Sequence, residues 1–160
     1  MTSKKGFPAE LQTLDKAARS GSRGVTSLFS GAAGSGKMKA AMDIASSIDA
    51  PLLKVNLKTV LSKYIGETEK NLSSIFKAAK IAGAVLFFDE ADALFGKRTE
   101  VKDSHDRYAN KQVSYLLKRS ERFAGVVIFA SIQQGDIDET FLKRAPHVLK
   151  FPLGNPVYKH

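Results

Sequence analysis

Apolar residues recur along this chain in two alternating rhythms. Leu11, Leu14 and Ala18 are spaced for one face of a helix, which predicts a short helix over 9–20. A Gly/Ser turn at Ser20–Gly24 follows, and the short run Val25–Ser30 then predicts a buried strand. Met38, Ala41, Met42 and Ala45 return to helical spacing. Pro51–Leu57 reads as a second strand, and Leu72, Ile75, Phe76 and Ala79 as another helix. Ala84–Phe88 is continuously apolar, as a strand covered on both faces must be. Ala109, Val113, Leu116 and Leu117 mark a further helix, Val126–Ala130 a further buried strand, and Val148–Phe151 a last one. Strands and helices thus alternate about five times. That order predicts an α/β fold, a five-stranded parallel sheet flanked by helices on both faces. In such sheets ligands bind beyond the carboxyl ends of the strands. Gly96–Asp106 is the longest polar stretch and is expected to be a mobile loop.

Length and composition narrow the picture. At 160 residues the chain suits one domain with a core of its own. It has no cysteine, which excludes disulfides and thiolate metal sites and fits a cytoplasmic setting. No apolar stretch approaches the roughly 18 residues of a membrane span. Met1–Pro8 is polar and basic, unlike a secretory signal. The net charge is +9, a balance often met in proteins that bind polyanions. Yet the 25 Lys and Arg are scattered and never run beyond two, so they read as a solvated surface and argue against a nucleic-acid binder. The three histidines lack metal-ligand spacing, and His105 lies in the polar stretch.

The first strand runs into Gly31-Ala32-Ala33-Gly34-Ser35-Gly36-Lys37-Met38. The glycines and the lysine match the phosphate loop G-x-x-x-x-G-K, and a helix follows as that motif requires. Glycines let successive N–H groups curl toward phosphate oxygens, the helix adds its positive end, and Lys37 adds a point charge. The plainer reading is a glycine-rich turn joining strand to helix. The position after Lys37 ordinarily carries Ser or Thr for Mg²⁺. Here it is Met38, a thioether and a poor ligand for a hard cation, and Ser35 lies on the wrong side of Lys37 to replace it.

A second constellation closes the strand Val85-Leu86-Phe87-Phe88, which leads into Asp89-Glu90-Ala91-Asp92. Asp89 is placed to hold Mg²⁺ or its waters, and Glu90 to polarise an attacking water as general base. Acids in a helix's first turn also serve as caps, and Asp92 reads as one.

Taken together, these motifs resemble the large, nucleotide-binding subdomain of an AAA+ ATPase, a P-loop NTPase-type three-layer sandwich. The resemblance covers roughly residues 24–151, with an N-terminal helix and linker over 1–23 and a tail over 152–160. It rests also on Ser62–Leu72, similar to the family's first pore loop and following helix. Asp92–Arg98 and Asp103–Asn110 are similar to a bacterial subgroup. The resemblance implies binding of ATP or ADP with Mg²⁺, and hydrolysis driving protein remodelling in an oligomeric ring, a homo-hexamer. It implies that Lys63, Tyr64 and Ile65 line a pore that grips a polypeptide. It implies that Arg144, in Phe141-Leu142-Lys143-Arg144, serves as a finger reaching a neighbour's γ-phosphate.

The chain departs from the family pattern in several places. Met38 replaces the magnesium hydroxyl. Ile132 stands where the family carries a sensor Asn, with Ser131 and Gln133 as candidate substitutes. His147 occupies the place of a second finger arginine. After Phe151 no helical lid follows, so the isolated core is expected to be monomeric unless rings form. Two readings stay open: an ATPase core that hydrolyses weakly, and a module that binds nucleotide without efficient hydrolysis.

Overall fold

The computed structural model describes residues 9–20, 24–61, 67–94, 104–132 and 139–152, with the backbone alone at 104–110 and 139–140. Helix α1 (Ala9–Ser20) precedes strand β1 (Val25–Gly31), helix α2 (Lys37–Ser47) and strand β2 (Leu52–Asn56). Two helices follow, α3 (Leu57–Leu61) and α4 (Glu67–Ala82), and then strand β3 (Val85–Asp89). A 3₁₀ turn (Ala91–Leu94), helix α5 (Ser104–Arg122), strand β4 (Val126–Ser131), helix α6 (Glu139–Arg144) and strand β5 (His147–Phe151) complete the order. All strand pairs are parallel, in the order β2-β3-β4-β1-β5.

Alternation along the strands splits the core into two layers. Val85 and Phe87 of β3, Val126, Ile128 and Ala130 of β4, and Phe29 of β1 face one side. There they meet Leu11 and Leu14 of α1 and Ala41 and Ile44 of α2. Leu86, Phe88, Val127, Phe129 and Leu28 face the other side, against Leu72 and Phe76 of α4, Leu116 and Leu117 of α5, and Phe141 of α6. Both faces of β3 and β4 are therefore covered, which is why those strands read as unbroken apolar runs. Phe123, Phe76, Phe88, Phe129 and Phe141 form a chain of ring contacts through the second layer, with centroids 5.1–5.8 Å apart. Burial of each such ring contributes about 1.5–3 kcal/mol. On the first side, buried Asp15 of α1 accepts hydrogen bonds from Arg19 and from Ser47 of α2, locking those two helices together.

The three-layer α/β sandwich with five parallel strands agrees with the sequence reading. Differences lie at element ends. Leu57, assigned by pattern to the second strand, begins α3 instead, because Asn56 caps that helix: the Thr59 N–H bonds to Asn56 Oδ1 at 3.1 Å. The polar stretch Gly96–Asp106 is already helical from Ser104; its remainder lies outside the described residues. So do Gly21–Arg23 of the predicted turn and the tail from Leu153 on. Among the described residues no helix is long and apolar enough to cross a membrane.

Candidate functional site

The phosphate-loop sequence leaves β1 at Gly31, which lies against β5. A Cβ on Gly31 would fall 2.6 Å from the Phe151 carbonyl oxygen, so the loop's origin is fixed by close backbone approach. The chain then turns tightly, with the Ser35 N–H bonded to the Ala32 carbonyl at 3.1 Å. Gly34 and Gly36 take positive φ values of 77° and 104°. Gly36 stands at the start of α2, and its carbonyl accepts the Ala40 N–H at 3.0 Å. The N–H groups of the first turn have no carbonyl within the helix to bond, and they form the positive end of α2. Ala32, Ala33 and Gly34 are exposed on the loop's rim.

The Lys37 ammonium folds back over the loop, donating to the carbonyls of Gly31 and, at 3.2 Å, Ala32. Burial pushes its pKa below the usual lysine value, while the carboxylates of Asp89 and Asp92 pull the other way. The Ser35 hydroxyl is buried with no hydrogen-bond partner, an orphaned polar atom within the loop. Met38 is partly buried against the α1–α2 side of the core. The thioether is thus a packing group in this fold.

β3 ends where the acidic pair begins. Asp89 Oδ1 accepts the Glu90 N–H at 2.8 Å, and Asp89 Oδ2 lies 3.7 Å from the Lys54 ammonium. Glu90 has φ 56°, a left-handed conformation that costs a non-glycine residue about 1–3 kcal/mol. That turn brings its carboxylate to Asn56, whose Nδ2 donates to Glu90 Oε2 at 2.6 Å. One amide therefore serves twice, its oxygen capping α3 and its nitrogen holding Glu90. Asp92, in the first turn of the 3₁₀ segment, also clasps the end of β4. It accepts the Ser131 hydroxyl at 2.8 Å and the Ile132 N–H at 3.1 and 3.2 Å.

Lys37, Asp89, Glu90 and Asp92 share one cleft of about 480 Å³ beyond the carboxyl ends of the strands, with Lys58 and Ile132 also on its wall. Ile132 is 60% exposed at this rim, and its side chain offers no hydrogen bond. Ser131, one candidate substitute for the sensor Asn, gives its hydroxyl to Asp92; Gln133, the other, lies outside the described residues.

Arg144 and His147 lie away from this cleft. Arg144 ends α6 and pairs with Glu121 of α5 at 3.5 Å. His147 opens β5 in register with Ser27, four positions behind the Gly31–Phe151 pair. At about 3.3 Å per residue it stands about 13 Å back along the sheet from the phosphate loop. It is half-buried there, and burial pushes its pKa below the ordinary value. Lys63, Tyr64 and Ile65 lie outside the described residues.

Sequence reasoning missed Lys54 and Asn56, which hold the two acids, and the Asp92–Ser131 clasp. Asn is a favoured helix cap, so Asn56 could have been read as one. Nothing local points to its second partner 34 residues away.

The loop fits a phosphate chain: free helix-end amides, an ammonium and an orphaned hydroxyl surround its mouth. A magnesium ion fits less well. Mg²⁺ wants oxygen ligands in near-octahedral order. Met38, where a hydroxyl would help to hold it, packs against the core. The nearest carboxylate, Asp89, already faces an N–H and an ammonium.

A glycine loop leaving the strand that stands between β4 and β5, and an acidic pair ending β3, define a P-loop nucleoside-triphosphatase fold. Residues 27–153 match the family described as "ATPase family associated with various cellular activities (AAA)", and the chain belongs to it. It is 34% identical over 126 residues to Cell division protein C of Sulfolobus acidocaldarius, covering 73% of this chain and 34% of that protein. It is 32% identical over 118 residues to the Cell division cycle protein 48 homolog of Archaeoglobus fulgidus, covering 73% of this chain and 16% of that one. The chain thus spans a third or less of these relatives. Its fold is also like that of the FIGL-1 AAA domain crystallised with ADP, with TM-score 0.63, 23% identity, and coverage of 82% of this chain and 44% of that one.

Proposed function

We propose that this chain is the nucleotide-binding core of an ATPase that binds ATP and ADP through Gly31–Met38 and hydrolyses ATP. The observation that carries this reading is the shared cleft, in which the Lys37 ammonium and the start of α2 stand opposite Asp89 and Glu90. ADP in the FIGL-1 AAA domain supports the choice of ligand.

Chemically, the loop amides and Lys37 bind and orient the triphosphate. Glu90 accepts a proton from the water that attacks the γ-phosphorus in line, and the β,γ-bridging oxygen leaves with ADP. General-base assistance of this kind contributes about 10²–10⁴-fold. Asn56 fixes where the Glu90 carboxylate waits. Asp89 balances the positive charge gathered at the phosphates. No step is drawn through Mg²⁺, for which the donor set is poor.

In a ring of copies, Arg144 acts in trans, leaving Glu121 to meet a neighbour's γ-phosphate. Such fingers are worth about 10³–10⁵ in rate where they operate. Lys63, Tyr64 and Ile65 then grip a polypeptide substrate, the role that the family resemblance of Ser62–Leu72 implies for them.

The alternative is a module that binds nucleotide without efficient turnover. Ile132 favours it, because an exposed aliphatic group on the cleft wall can neither hold water nor touch phosphate by a hydrogen bond. Phosphate release under saturating ATP separates the two. Turnover in the parent that vanishes in Glu90→Gln supports the ATPase. Background-level release in both, with nucleotide bound, supports the alternative. Failure of ATP and ADP to bind the folded chain at millimolar concentration sinks both.

A further inference from the structure

Two side chains of β2 hold the two acids at the tip of β3. Lys54 and Asn56 are separated by two positions and so lie on one face of the strand. Asn56 donates to Glu90, and the Lys54 ammonium lies 3.7 Å from Asp89 Oδ2. The register pairs Asn56 with Asp89 and Lys54 with Phe87, so the lysine approaches Asp89 from one step behind. The contact belongs to the nucleotide cleft: Asp89 is also the largest carboxylate influence on Lys37.

The same carboxylate is the one a divalent cation would need. Mg²⁺ takes oxygen ligands and gives up its water reluctantly. Here the hydroxyl that would follow the loop lysine is replaced by Met38, whose thioether packs against the core. The remaining acid is faced by an ammonium, which lowers its attraction for a second cation. The local charge also closes without a metal. Three ammonium groups, Lys37, Lys54 and Lys58, stand among three carboxylates, Asp89, Glu90 and Asp92.

Resting on the nucleotide-binding reading above, we propose that Lys54 is the resident cation of this site: it occupies Asp89 in place of Mg²⁺, so that the chain binds nucleotide almost independently of the metal. Lys54 is 55% exposed, so it reaches Asp89 without a buried rearrangement. An exposed ion pair is a weak bond, and the effect of removing it is correspondingly modest.

The test is calorimetric titration of ADP into the whole chain, with excess MgCl₂ and with excess EDTA, for the parent, Lys54→Met and Met38→Thr. In the parent, EDTA should weaken ADP binding by less than about threefold; in Lys54→Met the metal dependence should grow by about fivefold, the scale of one exposed ion pair. Met38→Thr, which restores a hydroxyl, should also increase the benefit of Mg²⁺. A loss of tenfold or more on adding EDTA to the parent overturns the proposal. So does a Lys54→Met variant whose metal dependence equals the parent's. If ADP binds in neither buffer while thermal melting shows a folded chain, the nucleotide reading itself fails and takes this inference with it.

Discussion

The two ends of the sheet have opposite characters. At the amino end lies the larger cavity, about 610 Å³, against about 480 Å³ for the cleft at the carboxyl end. Yet the larger cavity is bounded by closed helix ends, although Asp49 there shares the left-handed backbone of Glu90, with φ 57°. Its positive-φ residues, Asp49 and Gly83, end helices α2 and α4, and the residues after them close those helices with hydrogen bonds of 2.8 Å (Ala50 to Ala45) and 2.9 Å (Ala84 to Ala79). Strand starts are paired too, Val25 with Gly125 at 2.9 Å and Val85 with Pro51 at 2.8 Å. Three of its four basic side chains, Lys80, Arg119 and Arg122, sit in the last turns of helices, where cations offset the carbonyl end of the helix dipole. Arg119 is further held by Ser73 and Tyr115 and by the face of Phe76.

At the carboxyl end, by contrast, Glu90 holds a strained φ, the Ser35 hydroxyl lacks a partner, and acids and ammoniums crowd one small space. The two ends thus differ in how many charged groups converge on them rather than in volume or in backbone strain.

The sharpest way to break this contrast is to disable each end separately. Lys37→Ala should cost about 10²-fold in ATP affinity, the scale of a hydrogen bond to a charged group, with little change in the denaturation midpoint. Calorimetry beside urea unfolding checks both halves. Gly24→Ala at the amino end should do the reverse. Its Cβ would lie 2.1 Å from the Phe123 carbonyl oxygen, and relieving that overlap should cost about 1–3 kcal/mol of stability. Nucleotide affinity should survive whatever fraction stays folded.

A subtler test is Glu90→Gly. Glycine accepts the positive φ without penalty, so the fold should gain up to about 1 kcal/mol while phosphate release disappears. Loss of stability there would show that the turn is not strained. The smallest effect concerns His147. Burial lowers its folded pKa below the unfolded value of about 6.5. As pH falls through 6.5 the unfolded chain takes up the proton first, so stability declines until the folded pKa is passed and then levels. Urea midpoints for His147→Gln should show a shallower decline than the parent between neutral and mildly acid pH.

Much of the architecture was legible because the relevant signals are local. β3 and β4 announce themselves as apolar runs since both their faces are covered. The loop Gly31–Lys37 is legible because backbone curvature demands glycine at fixed spacing. α3 and α6 were not, as five or six residues are too few to establish a helical period. The clasp between Asp92 and Ser131 and the hold of Lys54 on Asp89 join residues 39 and 35 positions apart, and only parallel pairing of the strands brings them together.

The doubled duty of Asn56 has a mechanical corollary. One carboxamide closes the opening turn of α3 and tethers the glutamate, so tension that unravels that turn would also loosen the tether. The segment that follows α3 begins six residues from Asn56. Traction on it would thus reach Glu90 through a single covalent group, with no relay of intervening side chains.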